Sequence, residues 1–192
     1  MSPIVSTLAG ASARGYVGLL SQASGGSFES IQTYTATGTV SDITFSSIPS
    51  TYKILQFRIL ARTTNGGAGD RSLFAQFNGD TGSNYYYSRI YSYNGVNNKN
   101  VDFSNATGVY AGIILDDGNN AGDYGGNTFE IIDYANASKT KQSKQLGGSS
   151  ASQFFSASFW TGTAAISSVR FFSSGGTSLK INTTIALYGI KG

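Results

Sequence analysis

The acidic residues are the first place to look for chemistry in this chain. Asp116, Asp117 and Asp123 share one stretch with Asn119 and Asn120. Oxygen ligands in a flexible loop are what Ca²⁺ takes, but the spacing departs from the EF-hand pattern. Asp, Gly and Asn in such runs are also ordinary turn material. Glycoside hydrolysis needs two carboxyls facing each other across a cleft, and nothing in the sequence selects a pair from the ten acids present. With no Cys and no His, thiolate nucleophiles, imidazole bases, disulfides and the usual zinc sites are excluded. No P-loop or nucleophile elbow is present. The reading is therefore of a protein that is not an enzyme and has no cofactor.

The other suggestive stretch is aromatic: Asn84 to Tyr93, NYYYSRIYSY. On a strand, Tyr85, Tyr87 and Tyr91 are expected on one face, with Tyr86 and Arg89 on the other. Exposed Tyr beside Arg can stack on a glycan or anchor a protein subunit. The alternative is that one face is core and the other lines a subunit contact. That alternative is favoured, because aromatics ordinarily fill the cores of β-sandwiches.

The elements that carry these residues read as strands. In Ile43–Arg62, Leu55, Phe57, Ile59 and Ala61 alternate with Gln56, Arg58 and Arg62, the pattern of a half-buried strand. In Arg71–Tyr87, Leu73, Ala75 and Phe77 repeat it, and Asn78-Gly79-Asp80 then supplies a turn. These two stretches are expected to be neighbouring strands at the heart of the domain. Further strands are predicted at Phe28–Thr35, Asp42–Ser46, Val109–Leu115, Phe129–Tyr134, Lys139–Leu146, Phe154–Trp160, Ile166–Phe172 and Leu179–Tyr188. Asn97–Gly108 and Asp116–Asn127 are predicted to be loops. The alternating Lys139, Lys141 and Lys144 suggest a solvated sheet edge. No α-helix of useful length and no βα alternation is seen. The fold class is therefore all-β: an antiparallel two-sheet sandwich, jelly-roll-like. Its predicted core holds Leu55, Phe57, Ile59, Leu73, Phe77, Phe155, Phe159, Val169, Phe171, Ile181 and Leu187.

Residues 1–26 differ. They lack strand alternation and carry Ile4, Val5, Leu8, Tyr16, Leu19 and Leu20 among small residues, with Arg14 between Ala13 and Gly15. They are expected to form either a disordered leader or an extended arm that orders on a partner. The large aliphatics favour the arm, which leaves 27–192 as the β domain. Only 12% of residues are charged and the net charge is +3, too little to argue for nucleic acid. Neither a membrane-spanning run nor a signal peptide is seen, so a released product is expected to need host lysis.

Several ordered segments resemble a family. They are Gly10–Gly15 (GASARG), Ser27–Ile31 (SFESI), Thr44–Tyr52 (TFSSIPSTY), Phe77–Tyr85 (FNGDTGSNY), Asp133–Asn136 (DYAN) and Ala186–Gly192 (ALYGIKG). In these the chain resembles small virion proteins of tailed bacteriophages from marine and freshwater hosts. The resemblance implies a surface-exposed virion structural protein of tail-fibre or receptor-binding type. Capsid cement or decoration is the first alternative, and a glycan-cleaving tail enzyme the second. It implies a homotrimer and other virion proteins as partners, in the tail or baseplate or as major capsid protein. A host glycan contact through Tyr85, Tyr86, Tyr87, Arg89 and Tyr91 is a further expectation. The arm residues Ile4, Val5, Leu8, Arg14, Tyr16, Leu19 and Leu20 are expected to make the attachment. No catalytic residue is implied.

Overall fold

The computed structural model describes residues 27–93, 96–150 and 152–192, with side chains for all of these but 97–102. The proposed arm, Ile4 through Leu20, lies outside the described residues. Among the described residues twelve strands form two antiparallel sheets. They are β1 (Phe28–Thr35), β2 (Asp42–Phe45), β3 (Ile54–Ala61), β4 (Asp70–Phe77), β5 (Tyr85–Tyr93), β6 (Val96–Ala106), β7 (Val109–Leu115), β8 (Gly125–Ile132), β9 (Lys141–Gly148), β10 (Ser152–Trp160), β11 (Val169–Ser173) and β12 (Thr184–Ile190). The large sheet runs β1-β12-β3-β8-β9-β10-β5-β6 and the small sheet β2-β11-β4-β7. Helical structure among the described residues is confined to a 3-10 turn at Ser174–Gly176. The architecture is a jelly-roll-like β-sandwich, as the strand periodicity predicted.

The sheets meet through aromatic side chains. Phe57 and Phe129, paired across the large sheet, face Phe45 and Phe171 of the small one. Phe57 touches all three partners, with ring centroids 4.9–6.1 Å apart. Such contacts add to the area term that dominates core stability. Leu55, Ile59, Leu73, Phe77, Val169 and Leu187 complete this core as expected. Asn78 and Gly79 take φ of 53° and 71°, the positive values that the Asn-Gly turn predicted.

Other expectations are corrected. β3 and β4 are not neighbours in one sheet. They belong to different sheets and face each other across the core, because the chain crosses over between them. Residues 97–106, expected in a loop, lie in β6, a polar strand at the end of the large sheet. An edge strand needs no apolar face to pair, so the periodicity was silent there. Lys139–Leu146 is not an edge: β9 has β8 on one side and β10 on the other. Lys141 points inward and is buried, its Nζ donating to the carbonyls of Asn136, Lys139 and Thr163 at 2.5–2.7 Å. Ile181 sits exposed in a turn before β12. Phe155 and Phe159 point outward, and Ser152, Phe154, Ser156, Ser158 and Trp160 point in. The period of β10 is as predicted but its phase is reversed.

That reversal has a cause in β7. This strand is buried along its whole length and has β4 as its one strand partner; its other edge is bridged to Arg62 at Leu115 and otherwise lies inside the sandwich without a neighbouring strand. Buried N–H and C=O groups need partners. Asn127 of β8 supplies them like a short strand: its Oδ1 accepts from Ile113 N at 3.0 Å and its Nδ2 donates to Ile113 O at 2.7 Å. Gln145 Nε2 donates to the same Oδ1 at 2.9 Å, and Ser156 Oγ donates to Tyr110 O at 3.4 Å. The inner face of β8–β10 is therefore polar beneath β7, and large apolar residues of β10 are left for the outer face. Gly112 and Gly125 permit the close approach. A Cβ on Gly112 would sit 2.5 Å from Asn127 Cγ, and one on Gly125 would sit 2.2 Å from Ile113 O.

Phe57→Ala is expected to destabilise the fold by about 3–5 kcal/mol, while Phe155→Ala costs under about 1 kcal/mol. Chemical denaturation of the two variants checks the contrast. Equal losses would contradict the inside–outside assignment of these strands.

Candidate functional site

The acidic loop is organised around a cation that the chain supplies itself. Arg62, expected beside Arg58 on a solvent face, is buried: β3 ends at Ala61, and the guanidinium turns under residues 116–123. Its Nη1 donates to the carbonyls of Asn120 (2.7 Å) and Asp123 (3.2 Å), and its Nη2 to those of Asp117 (2.8 Å) and Asn119 (2.6 Å). Asp117 Oδ1 lies 3.4 Å from Arg62 Nε and also accepts from Lys180. The hydrogen bond from Lys180 holds the Asp117 carboxyl below its ordinary range. Asp116 takes Thr63 Oγ1 at 3.0 Å, Asn65 Nδ2 at 2.8 Å and Arg71 Nε at 3.0 Å. The carbonyl oxygens that a Ca²⁺ would recruit thus converge on a guanidinium. Among the described residues no group of three or more acids gathers as a metal site. The loop is structural.

The aromatic run divides. Tyr85 is fully buried, accepting from Phe77 N at 3.0 Å and donating to Asp80 O at 2.8 Å. Burial pushes its phenol up to about 12. Tyr87 is buried beside Phe74 and Tyr110, and Tyr91 stacks on Phe154 at 5.0 Å. Arg89 was expected opposite these tyrosines, but its odd position places it with them. Its guanidinium lies 5.1–5.9 Å from the rings of Tyr91, Phe103, Tyr110 and Phe154. This box is a packing feature of the inner face. Of the five proposed contact residues, Tyr86 alone points outward. It lies flat against Phe159, with ring centroids 4.6 Å apart and planes 2° off parallel.

Tyr86 leads to the surface that the large sheet leaves uncovered, its outer face. Register aligns the residues there in ranks. One rank runs Ile90, Phe155, Leu146, Thr128, Arg58, Ala186 from β5 to β12. The first three are adjacent across strands and 60%, 47% and 65% exposed, unusual for such side chains. The next rank holds Lys144, Glu130, Gln56 and Tyr188. Here Lys144 Nζ lies 2.9 Å from Glu130 Oε2, Gln56 Nε2 donates to Glu130 Oε1 at 2.7 Å, and Arg58 Nε donates to Gln56 Oε1 at 3.2 Å. Burial pushes the Glu130 carboxyl up, but the bonds from Lys144 and Gln56 outweigh it and hold it below the ordinary value. Open clefts lie on this face, a small one of about 230 Å³ among Thr128, Glu130, Lys144, Leu146 and Phe155 and two larger ones. One, of about 410 Å³, is lined by Tyr86, Phe159, Gln142 and Ala157. The other, of about 640 Å³, is lined by Arg58, Leu60, Gly126, Thr128, Leu146 and Thr184. Among the described side chains of this face Glu130 is the one carboxylate, so a facing pair of acids is not formed there. Of the clefts' residues, Tyr86 and Tyr87 were singled out in the sequence as contacts. The one signal available was the surplus of large apolar residues in FFSASFW.

No protein-family profile matches the chain, and no curated protein matches it in sequence. Solved structures resemble it in fold. The CBM40 of the Ruminococcus gnavus IT-sialidase, bound to α2,3-sialyllactose, is 11% identical with a TM-score of 0.35, covering 82% of this chain and 91% of that one. A scytalido-glutamic peptidase carrying a peptide-based transition-state analog is 11% identical with a TM-score of 0.29, covering 78% and 72%. CG-16, a homodimeric agglutinin from chicken liver, is 12% identical with a TM-score of 0.32, covering 75% and 98%. They lend no residue role to this chain.

Arg62→Met is expected to destabilise the fold by about 3–5 kcal/mol, because the loop loses a buried charge that satisfies four carbonyls. Calcium or a chelator should leave the wild-type melting temperature unchanged. The pH dependence follows from the carboxyls. Glu29, Asp42, Asp80, Asp117 and Glu130 are all held below their ordinary values in the folded state. As pH falls the unfolded chain takes up these protons first, so stability present above about pH 4 is lost below it. With no His in the chain, thermal melts should be flat between about pH 5 and 7 and fall steeply under about pH 4.

Proposed function

We propose that the chain is a structural protein of a tailed-bacteriophage virion, exposed on the particle and of tail-fibre or receptor-binding type. Residues 1–26 attach it to other virion proteins, and the outer face of the large sheet is turned toward the host. One observation supports this most: a rank of three exposed apolar side chains, Ile90, Phe155 and Leu146, on a face that no other part of the described chain covers. Contiguous apolar surface of this kind marks an interaction site. The ordered resemblance to phage virion proteins supplies the setting. The chain acts by binding, without cofactor or metal, and its assembled form is a homotrimer.

The same rank favours a second reading. In a capsid cement protein, Ile90, Phe155 and Leu146 would be covered by a neighbouring head protein rather than by a host surface. A tail enzyme is supported less, since Glu130 is tied to Lys144 and Gln56.

Imaging the labelled protein on the particle tests the assignment: tail density supports the fibre type and head density the cement. The domain from Ser27 onward is expected to fold alone, since β1 begins at Phe28 and pairs with β12 within it. Offered to particles lacking the protein, the domain should fail to incorporate while the full chain succeeds. Equal incorporation would remove the attachment role of residues 1–26. Phe155→Glu should leave the melting temperature within a few degrees and cut host adsorption at least tenfold for a fibre. For a cement it should weaken binding to heads instead.

A further inference from the structure

Arg58 stands on the outer face with its guanidinium fixed before any ligand arrives. Nε donates to Gln56 Oε1, Gln56 is tied to Glu130, and Glu130 to Lys144, a relay across β3, β8 and β9. The guanidinium carbon lies 5.1 Å from the ring of Phe28 and 4.9 Å from that of Tyr188, which stack on each other at 4.8 Å. Cation–π contact and a side-chain acceptor together hold the rotamer. Among the described residues the two terminal nitrogens have no hydrogen-bond partner. An exposed fork already held in place, with both tines open, suits a bidentate carboxylate.

The Arg58 side chain lines one end of a cleft that runs toward Leu60, Gly126 and Thr184, away from Phe28 and Tyr188, so a ligand seated there reaches past that end to meet the guanidinium. Gly126 and Thr128 form the floor, Leu60 and Leu146 stand as apolar walls, and Thr184 adds a hydroxyl. β3, β8 and β9 are each paired on both sides, so no backbone edge is open for an extended peptide to join. A ligand here must bring its own hydrogen-bonding groups, an apolar face for the leucines and an anion for Arg58. Sugars offer a C–H face and hydroxyls together. We infer that this cleft binds a carboxylate-bearing glycan, of the uronic or sialic acid kind, with Arg58 on the carboxylate. The inference rests on the receptor-binding reading and names the ligand class of that face.

Gly126 provides a clean block. A Cβ built there meets nothing within 4 Å, and its backbone is not in the left-handed region, so Gly126→Trp fills the cleft without straining the fold. The full chain is titrated calorimetrically with tetragalacturonate, its carboxyl-reduced tetragalactoside, a sugar phosphate and poly-glutamate. Tetragalacturonate should bind at least tenfold tighter than each of the others. Arg58→Gln should bring it down to the level of the neutral sugar, and Gly126→Trp should abolish binding with an unchanged melting curve. Tyr86→Ala, in the separate cleft, should leave affinity unchanged. Equal affinity for the neutral sugar, the phosphate or poly-glutamate would overturn the inference, as would full binding by Arg58→Gln or Gly126→Trp. Competition of the free chain against particle adsorption separates the two readings. Blocked adsorption with preference for neutral glycans keeps the receptor role and discards the Arg58 site. Arg58-dependent uronate binding without competition does the reverse.

Discussion

The structure depends on how one buried strand edge is satisfied. β7 crosses the inside of the large sheet with one side of its backbone unpaired, and leaving those groups unmet would cost about 1–3 kcal/mol each. Asn127 and Ser156 meet them from β8 and β10, and Gln145 of β9 donates to the Asn127 amide oxygen and so holds it in place. Polar residues consequently occupy inward positions that would otherwise be apolar. Since side chains alternate along a strand, the phase chosen inside dictates what is shown outside. Phe155 and Leu146 are outward because Ser156 and Gln145 must be inward.

The apolar outer face thus follows from a packing constraint. The main core is closed by Phe45, Phe57, Phe129 and Phe171 elsewhere in the sandwich, which leaves the β8–β10 region free to carry a polar interior. Loop 116–123 shows the same economy. Its carbonyls are gathered by Arg62 from the end of β3, so the loop needs no ion to hold its shape. Lys141 does likewise for the carbonyls of Asn136, Lys139 and Thr163. In both places a cationic side chain is buried with its donors shared among backbone oxygens, the arrangement under which burial of charge is tolerable.

A face of mixed chemistry results. Its apolar rank suits a broad contact and its Arg58 relay suits a charged group, and the two lie side by side across β3, β8, β9 and β10. Strands paired on both sides make a stiff platform, so side chains there are held in place before contact.

From sequence alone, strand periodicity determined the all-β sandwich, the limits of β1 and β7, the Asn78-Gly79 turn and the greater part of the core from Leu55 to Leu187. These are local properties: alternation and positive-φ turns act within a few residues. The absence of His and Cys likewise bounded the chemistry outright. Tertiary structure alone decided which strands neighbour, which face of β10 is buried and where Arg62, Arg89 and Lys141 point. A polar–apolar alternation is symmetric under exchange of inside and outside when the inside is itself polar, so FFSASFW could not reveal its own phase. Only the unpaired edge of β7, brought near from a different part of the chain, broke that symmetry and set Phe155 and Leu146 on the exposed face.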